Sequence, residues 1–245
     1  MKILGIIGFP LTHSFSKQYF TEKFQRESID GYRFDAFELK TITEITTLIT
    51  ETPLLKGFAI TKPYKQQILS YLDFATPDVQ EMGACNCVQI VEGKLYGYNT
   101  DVLGFEESLK PILQPHHNKA LILGTGGAAQ AVAYVLYKLE IDFLFVSRNE
   151  LNKPNSINYT SLNQQIIEEN TLIINASPVG TFPNIDEAPS IPYQFISDQH
   201  YCFDLVYNPP QTKFLALSEK QKAITKNGFD MLAIQAEANW KIWSI

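Results

Sequence analysis

Cysteine is scarce in this 245-residue chain: Cys85, Cys87 and Cys202 are the only three. An odd count without a C-x-x-C spacing argues against a disulfide framework and against a cysteine-ligated zinc site. Histidine is nearly as rare, at four residues. The adjacent His116 and His117 lie among Gln114, Pro115 and Asn118, and with no ligand spacing around them they read as a solvated loop rather than a metal site. There is no Lys/Arg run, and the net charge is −6. The basic footprint of a nucleic-acid binder is missing, which sets that partner class aside. No stretch of about 18 apolar residues occurs, so no membrane-spanning helix is expected. Residues 3–11, after Lys2, superficially resemble a leader, but Gly5, Gly8 and Pro10 interrupt them. Thr12-His13-Ser14 supplies no small-residue cleavage pattern. A strand and turn, and a cytoplasmic protein, are the expectation.

The remaining composition is that of an ordinary globular chain, 45% hydrophobic and 19% charged. Its length allows one or two domains and a substantial core, and no long disordered stretch is expected.

Hydrophobic patterning divides the chain into two α/β halves. In the first, residues 3–7, 32–39 and 57–61 read as strands, and residues 16–28 and 42–50 as helices. Pro63 suits the first turn of a helix running to about residue 72. Residues 88–91 and 95–98 flank Glu92-Gly93-Lys94 as a hairpin. Asp101 can cap a helix to about residue 113, and the polar residues 114–118 mark a boundary. Beyond it, residues 120–123, 142–146, 171–175 and 201–206 are near-continuous apolar runs, as in a parallel sheet covered on both faces. A long proline-bearing loop lies between the last two. Residues 229–243 form a closing helix by pattern. The fold class expected is α/β with two domains. Residues 1–100 would form a substrate-binding domain and residues 118–227 a Rossmann-type, doubly wound parallel sheet, with a cleft between them. Helix 101–113 would connect them, and a C-terminal helix, 229–245, would pack back on the first.

Gly124-Thr125-Gly126-Gly127-Ala128-Ala129 is a GxGxxA turn that follows a strand and opens a helix. Its glycines let the turn be tight and bring backbone N–H groups close to a pyrophosphate, with the positive end of the helix dipole behind them. The strand–turn–helix–strand context distinguishes it from a bare glycine turn. About 20 residues on, an NAD enzyme carries an acidic residue for the ribose 2′-hydroxyl. Here the strand runs into Ser147-Arg148-Asn149. With an arginine and no carboxylate at the tip, the cofactor expected is NADP.

Polar residues cluster where strands end and helices begin: Ser14, Ser16, Thr61, Lys65, Asn86 and the run Asn99-Thr100-Asp101. Taken singly, each could be a helix cap, a turn residue or a solvated side chain. In order, they resemble the motifs of the shikimate dehydrogenase family. Residues 8–16 (GFPLTHSFS), 59–65 (AITKPYK), 83–87 (GACNC), 97–101 (GYNTD), 124–129, 175–180 (NASPVG), 204–212 (DLVYNPPQT) and 228–235 (GFDMLAIQ) match eight motifs across nearly the whole chain. The resemblance implies reversible NADPH-dependent reduction of 3-dehydroshikimate to shikimate, with Lys65 and Asp101 as the catalytic pair. It gives Ser14, Ser16, Thr61, Asn86, Tyr207 and Gln235 the substrate's hydroxyls and carboxylate. It gives the cofactor Gly124, Gly126, Gly127, Ala128, Ala129, Ser147, Arg148, Asn149 and Gly228. The partner is then a small molecule, with no membrane and no nucleic acid, and both monomer and homodimer stay open. The sequence departs from the family at Cys87, where threonine is usual, at Val102 and Asp230, where glycine is usual, and in Ser147-Arg148-Asn149, where N-R-T is usual. The alternatives are a quinate/shikimate dehydrogenase using NAD, another two-domain NADP enzyme of a small metabolite, and a non-catalytic nucleotide-sensing domain.

Overall fold

The structure is a computed structural model that describes residues 1–11, 15–148 and 155–244. The chain divides into two compact units: residues 1–100 together with 235–245, and residues 101–234.

The first unit runs β1 (Lys2–Gly8), α1 (Phe15–Arg26), β2 (Tyr32–Glu38), α2 (Ile45–Glu51), β3 (Leu55–Ile60), β4 (Phe74–Ala75), α3 (Pro77–Met82), β5 (Cys87–Val91) and β6 (Lys94–Tyr98). Its sheet has the order β2-β1-β3-β5-β6-β4. The β1 strand pairs in parallel with β2 and β3, whereas β5 is antiparallel to both β3 and β6. Strand alternation sends side chains to opposite faces. Ile3 and Ile7 of β1, with Phe58 and Ile60 of β3, join one apolar cluster. Leu4, Ile6 and Ala59 join a second, with Phe20, Phe34 and Trp243. Burying each such large side chain stabilises the unit by about 1.5–3 kcal/mol. The β5–β6 hairpin closes on Glu92 and Gly93, both at positive φ (51° and 78°), the conformation a two-residue hairpin turn requires.

The segment after Pro63 differs from the expected helix. It is a turn followed by a 3-10 helix over Gln67–Tyr71. The Lys65 carbonyl accepts from Cys85 N (2.8 Å), while Leu69 N donates to Gln66 O (3.3 Å). An α-helix would need the Lys65 carbonyl for Leu69. Its capture by another segment breaks the ladder at the start.

The second unit contains α4 (Asp101–Leu109), β7 (Lys119–Leu123), α5 (Gly127–Lys138), β8 (Asp142–Ser147), β9 (Ser156–Asn158), α6 (Gln164–Glu169), β10 (Leu172–Asn175), β11 (Tyr201–Asp204), α7 (Lys213–Lys220) and β12 (Ile224–Lys226). The last helix, α8 (Phe229–Trp243), begins in this unit, and its residues from Gln235 on belong to the first. The sheet order is β12-β11-β10-β7-β8-β9, and every pairing is parallel. That is the order of a doubly wound dinucleotide-binding sheet, which reverses direction between β7 and β10. All four residues of β10 and of β11 are buried, as a parallel sheet covered on both faces demands.

Candidate active site

In the first unit, β1 and β3 end side by side, with Ile7 opposite Ile60. The loops that follow are joined by backbone bonds from Thr61 N to Ile7 O (3.0 Å) and from Phe9 N to Lys62 O (3.1 Å). A Cβ on Gly8 would lie 2.4 Å from Thr61 Cγ2, so a glycine is what lets the threonine loop come this close. Thr61 and Lys65 are half-buried. The Lys65–Cys85 bond and another from Ile60 N to Asn86 O (2.8 Å) set the lysine loop against residues 83–87.

Asn86 is buried and grips Thr100. Its Oδ1 accepts from Thr100 N (2.7 Å) and its Nδ2 donates to Thr100 Oγ1 (3.0 Å). Thr100 Oγ1 also lies 2.7 Å from Asn239 Oδ1, and Asn239 Nδ2 donates to Gln235 Oε1 (3.1 Å). Asn86 and Gln235, expected as substrate residues, are thus joined through two buried side chains. Ser16 is buried on the first turn of α1. One turn further, the Tyr19 hydroxyl donates to Glu237, and Lys23 Nζ donates to both Glu237 (2.9 Å) and Glu27 (2.8 Å). The two bonds to Glu237 fasten α1 to the middle of α8. Burial, reinforced by the Glu237 carboxylate, pushes the Tyr19 hydroxyl's pKa up. Ser14 lies outside the described residues. Asp101, buried at the start of α4, and half-buried Tyr207 fall in the second unit.

In that unit the GxGxxA turn leaves β7. Gly124 has φ 115°, and a Cβ there would lie 3.2 Å from the Ala176 carbonyl and Ser177 N, so the loops after β7 and β10 meet at the sheet's reversal. Gly126 caps α5 without a side chain. A Cβ on it would meet nothing within 4 Å. The first turn of α5 carries no acidic residue, so nothing there opposes an anion at its amide end. Buried Ala129 lets α5 settle on the sheet, and Gly127 and Ala128 are half-buried. Ser147 ends β8, and Arg148 follows it exposed, its carbonyl accepting from Asn158 Nδ2 (3.0 Å). Burial pushes nearby Tyr159 up to about 12, against the pull of Arg148. Asn149 lies outside the described residues. Gly228 is buried where a Cβ would come 2.2 Å from Leu205 O, so it lets two backbone segments touch. Burial also raises the pKa of the Tyr207 hydroxyl.

Two features go beyond what the sequence suggested. Asp204 is completely buried at the end of β11 and accepts from Asn175 Nδ2 (2.9 Å), Val206 N (3.0 Å) and Thr212 Oγ1 (2.5 Å). Asn175 Oδ1 in turn accepts from Ser177 N (3.1 Å) and Ser177 Oγ (2.6 Å). One carboxylate therefore organises the loops after β10 and β11 and the start of α7. Burial lifts Asp204 to about 6, against the downward pull of its donors. The signal was a carboxylate closing an otherwise apolar strand. The second feature is His117, expected in a solvated loop. It is buried, with Nδ1 accepting from Gln114 N (3.0 Å) and Nε2 facing Gln199 O (3.3 Å), and burial lowers its pKa. It closes a loop that carries a histidine pair, where polar neighbours alone had suggested solvent. Among the described residues, no group of three or more His, Cys, Asp or Glu could hold a metal ion.

A family model described as the shikimate dehydrogenase substrate binding domain matches residues 6–88. The NADP(+)-dependent shikimate dehydrogenase of Methanococcus maripaludis is 35% identical over 259 residues, covering 99% of this chain and 92% of that protein. The chain belongs to the shikimate dehydrogenase family. Ser16, Thr61, Lys65 and Asn86 all fall within the stretch matched by the family model. The Thermus thermophilus member of the family, solved in complex with NADP(H) and shikimate, superposes with a TM-score of 0.85 at 27% identity, covering 100% of this chain and 94% of that one. The fold is shared more widely: a ligand-free 5-ketofructose reductase of Gluconobacter superposes with a TM-score of 0.83 at 26% identity, covering 99% of this chain and 92% of that one.

Proposed function

We propose that this protein catalyses the reversible NADPH-dependent reduction of 3-dehydroshikimate to shikimate, a step in chorismate and aromatic amino acid biosynthesis. The observation that carries this reading is the near-full-length similarity to NADP(+)-dependent shikimate dehydrogenases, in a chain that has both Lys65 and Asp101.

The residues present suit the cofactor. Gly126 leaves open space at the amide end of α5, and Arg148 stands at the tip of β8 where NAD enzymes place a carboxylate. Backbone N–H groups of residues 124–129 would cradle the pyrophosphate, and Ser147, Arg148 and Asn149 would take the 2′-phosphate. Gly228 would line the cofactor. When bound, NADPH supplies the hydride that adds to the C3 carbonyl carbon. Lys65 would set its ammonium at the carbonyl oxygen, where negative charge develops, and give that oxygen a proton. Asp101 would hold the lysine in place. Ser14, Ser16, Thr61, Asn86, Tyr207 and Gln235 would bind the ring hydroxyls and the carboxylate. Three buried cysteines without a disulfide suit a reducing compartment, which supports the cytoplasm as its location.

The test is the near-ultraviolet absorbance of reduced nicotinamide in the purified protein with shikimate and NADP⁺, repeated with NAD⁺ and with quinate. Rapid turnover of shikimate with NADP⁺ and much slower turnover with NAD⁺ is the expected result. Preference for quinate and NAD⁺ would select the quinate/shikimate alternative. No turnover of shikimate, or reduction of 5-ketofructose in its place, would overturn the substrate.

A further inference from the structure

The chain Asn86–Thr100–Asn239–Gln235 has a direction. Asn239 is 1% exposed, and a buried carboxamide needs partners for both its oxygen and its NH₂. Thr100 Oγ1 has one proton and two neighbouring amide oxygens, Asn239 Oδ1 at 2.7 Å and Asn86 Oδ1 at 3.2 Å. The shorter contact takes the proton. The hydroxyl then accepts from Asn86 Nδ2 at 3.0 Å. With its oxygen committed to Thr100, Asn239 turns its NH₂ towards Gln235 Oε1, one helical turn back on α8. Donation therefore runs from Asn86 through Thr100 and Asn239 to Gln235. A carboxamide can present either a donor or an acceptor, and within this chain each one has its end assigned.

We infer that Asn239 is a positioning residue: by occupying the Gln235 oxygen it fixes the carboxamide so that its NH₂ end is offered to the hydroxyls or carboxylate of the substrate. This rests on the reading of Gln235 as a substrate residue. An anionic substrate group needs donors, so a reversed Gln235 amide would set an acceptor against an acceptor and lose affinity. The role touches substrate binding alone, because Asn239, Thr100 and Asn86 all belong to the first unit.

The experiment compares Asn239→Asp and Asn239→Ala with wild type and combines each with Gln235→Ala. Aspartate keeps the shape and still accepts from Thr100, but once ionised it cannot donate to Gln235 and favours the reversed amide. In both variants the Michaelis constant for shikimate should rise roughly tenfold, while that for NADP⁺ stays within about twofold. In the Gln235→Ala background, changing Asn239 should add nothing to the shikimate constant. A shikimate constant that does not move, a parallel rise for NADP⁺, or an equal rise in both backgrounds would overturn the inference and mark Asn239 as merely structural. If aspartate prevents folding, the alanine variant decides by the same readouts. Wild-type protein that turns over shikimate while both variants behave normally defeats this inference alone. Wild-type protein without shikimate turnover defeats the proposed function and this inference with it.

Discussion

The candidate binding surfaces of the two units are built from different materials. The second uses backbone: a positive-φ glycine, a glycine cap with open space above it, and the amide end of α5. The first uses buried side chains, each aimed by another. A backbone site recognises a generic feature, a phosphate, and depends on the absence of side chains. A side-chain site recognises one arrangement of hydroxyls and is sensitive to changes that preserve volume. On the proposed function, buried side chains of the first unit would sort the substrate, and the backbone turn of the second would hold the cofactor's pyrophosphate.

That contrast can be broken in three ways. The largest effect is expected at Lys65, where removal of the ammonium by Lys65→Ala should lower kcat by roughly 10²–10³ with little change in the shikimate KM. Steady-state kinetics with an unchanged kcat would remove Lys65 from the chemistry. Next comes Asp204, a place where the second unit, like the first, depends on a buried side chain. Its folded pKa of about 6 lies above the unfolded 3.8, so the folded state holds the proton more tightly. That stabilisation is complete below about pH 4 and is lost as pH rises through about 6, a span on the order of 3 kcal/mol. Asp204→Asn cannot titrate, so its Tm should rise relative to wild type across this window. Parallel melting curves from about pH 4 to 7 would refute the assignment. The smallest effect on stability belongs to Gly126→Ala. An added methyl meets no protein atom, so Tm should move by less than about 1 kcal/mol equivalent, while the KM for NADP⁺ rises severalfold. A large loss of Tm would mean that the glycine serves the fold rather than the cofactor.

Long, regular elements were legible in the sequence. The closing helix Phe229–Trp243 has the expected bounds, and the hairpin and the β7–turn–α5 unit stand where patterning put them. Elements of two or three residues, such as β4, β9 and β12, are too short to carry a period. The helices α3, α6 and α7 also went unread, each only six to eight residues long. After Pro63, local preference lost to a tertiary bond, the capture of the Lys65 carbonyl by Cys85. Single motif residues were visible, but the links between them were not. Thr100 and Asn239 are 139 positions apart, and no local pattern reports a bond across that distance. Asp204 was visible only as part of a motif, because its role comes from donors brought to it by β10 and α7.

The chain has two tryptophans, Trp240 and Trp243, both on α8. The Trp243 indole donates to Val88 O (2.9 Å) and is 2% exposed, and a Cβ on Gly57 would come 2.4 Å from its ring. Tryptophan fluorescence therefore originates wholly from the seat of this one helix. Emission would shift to the red when the helix lifts off its sheet and would stay silent if only the second unit melted. Followed beside far-ultraviolet circular dichroism, which senses both units, this optical probe would show in one denaturant titration whether the two units melt together or in turn.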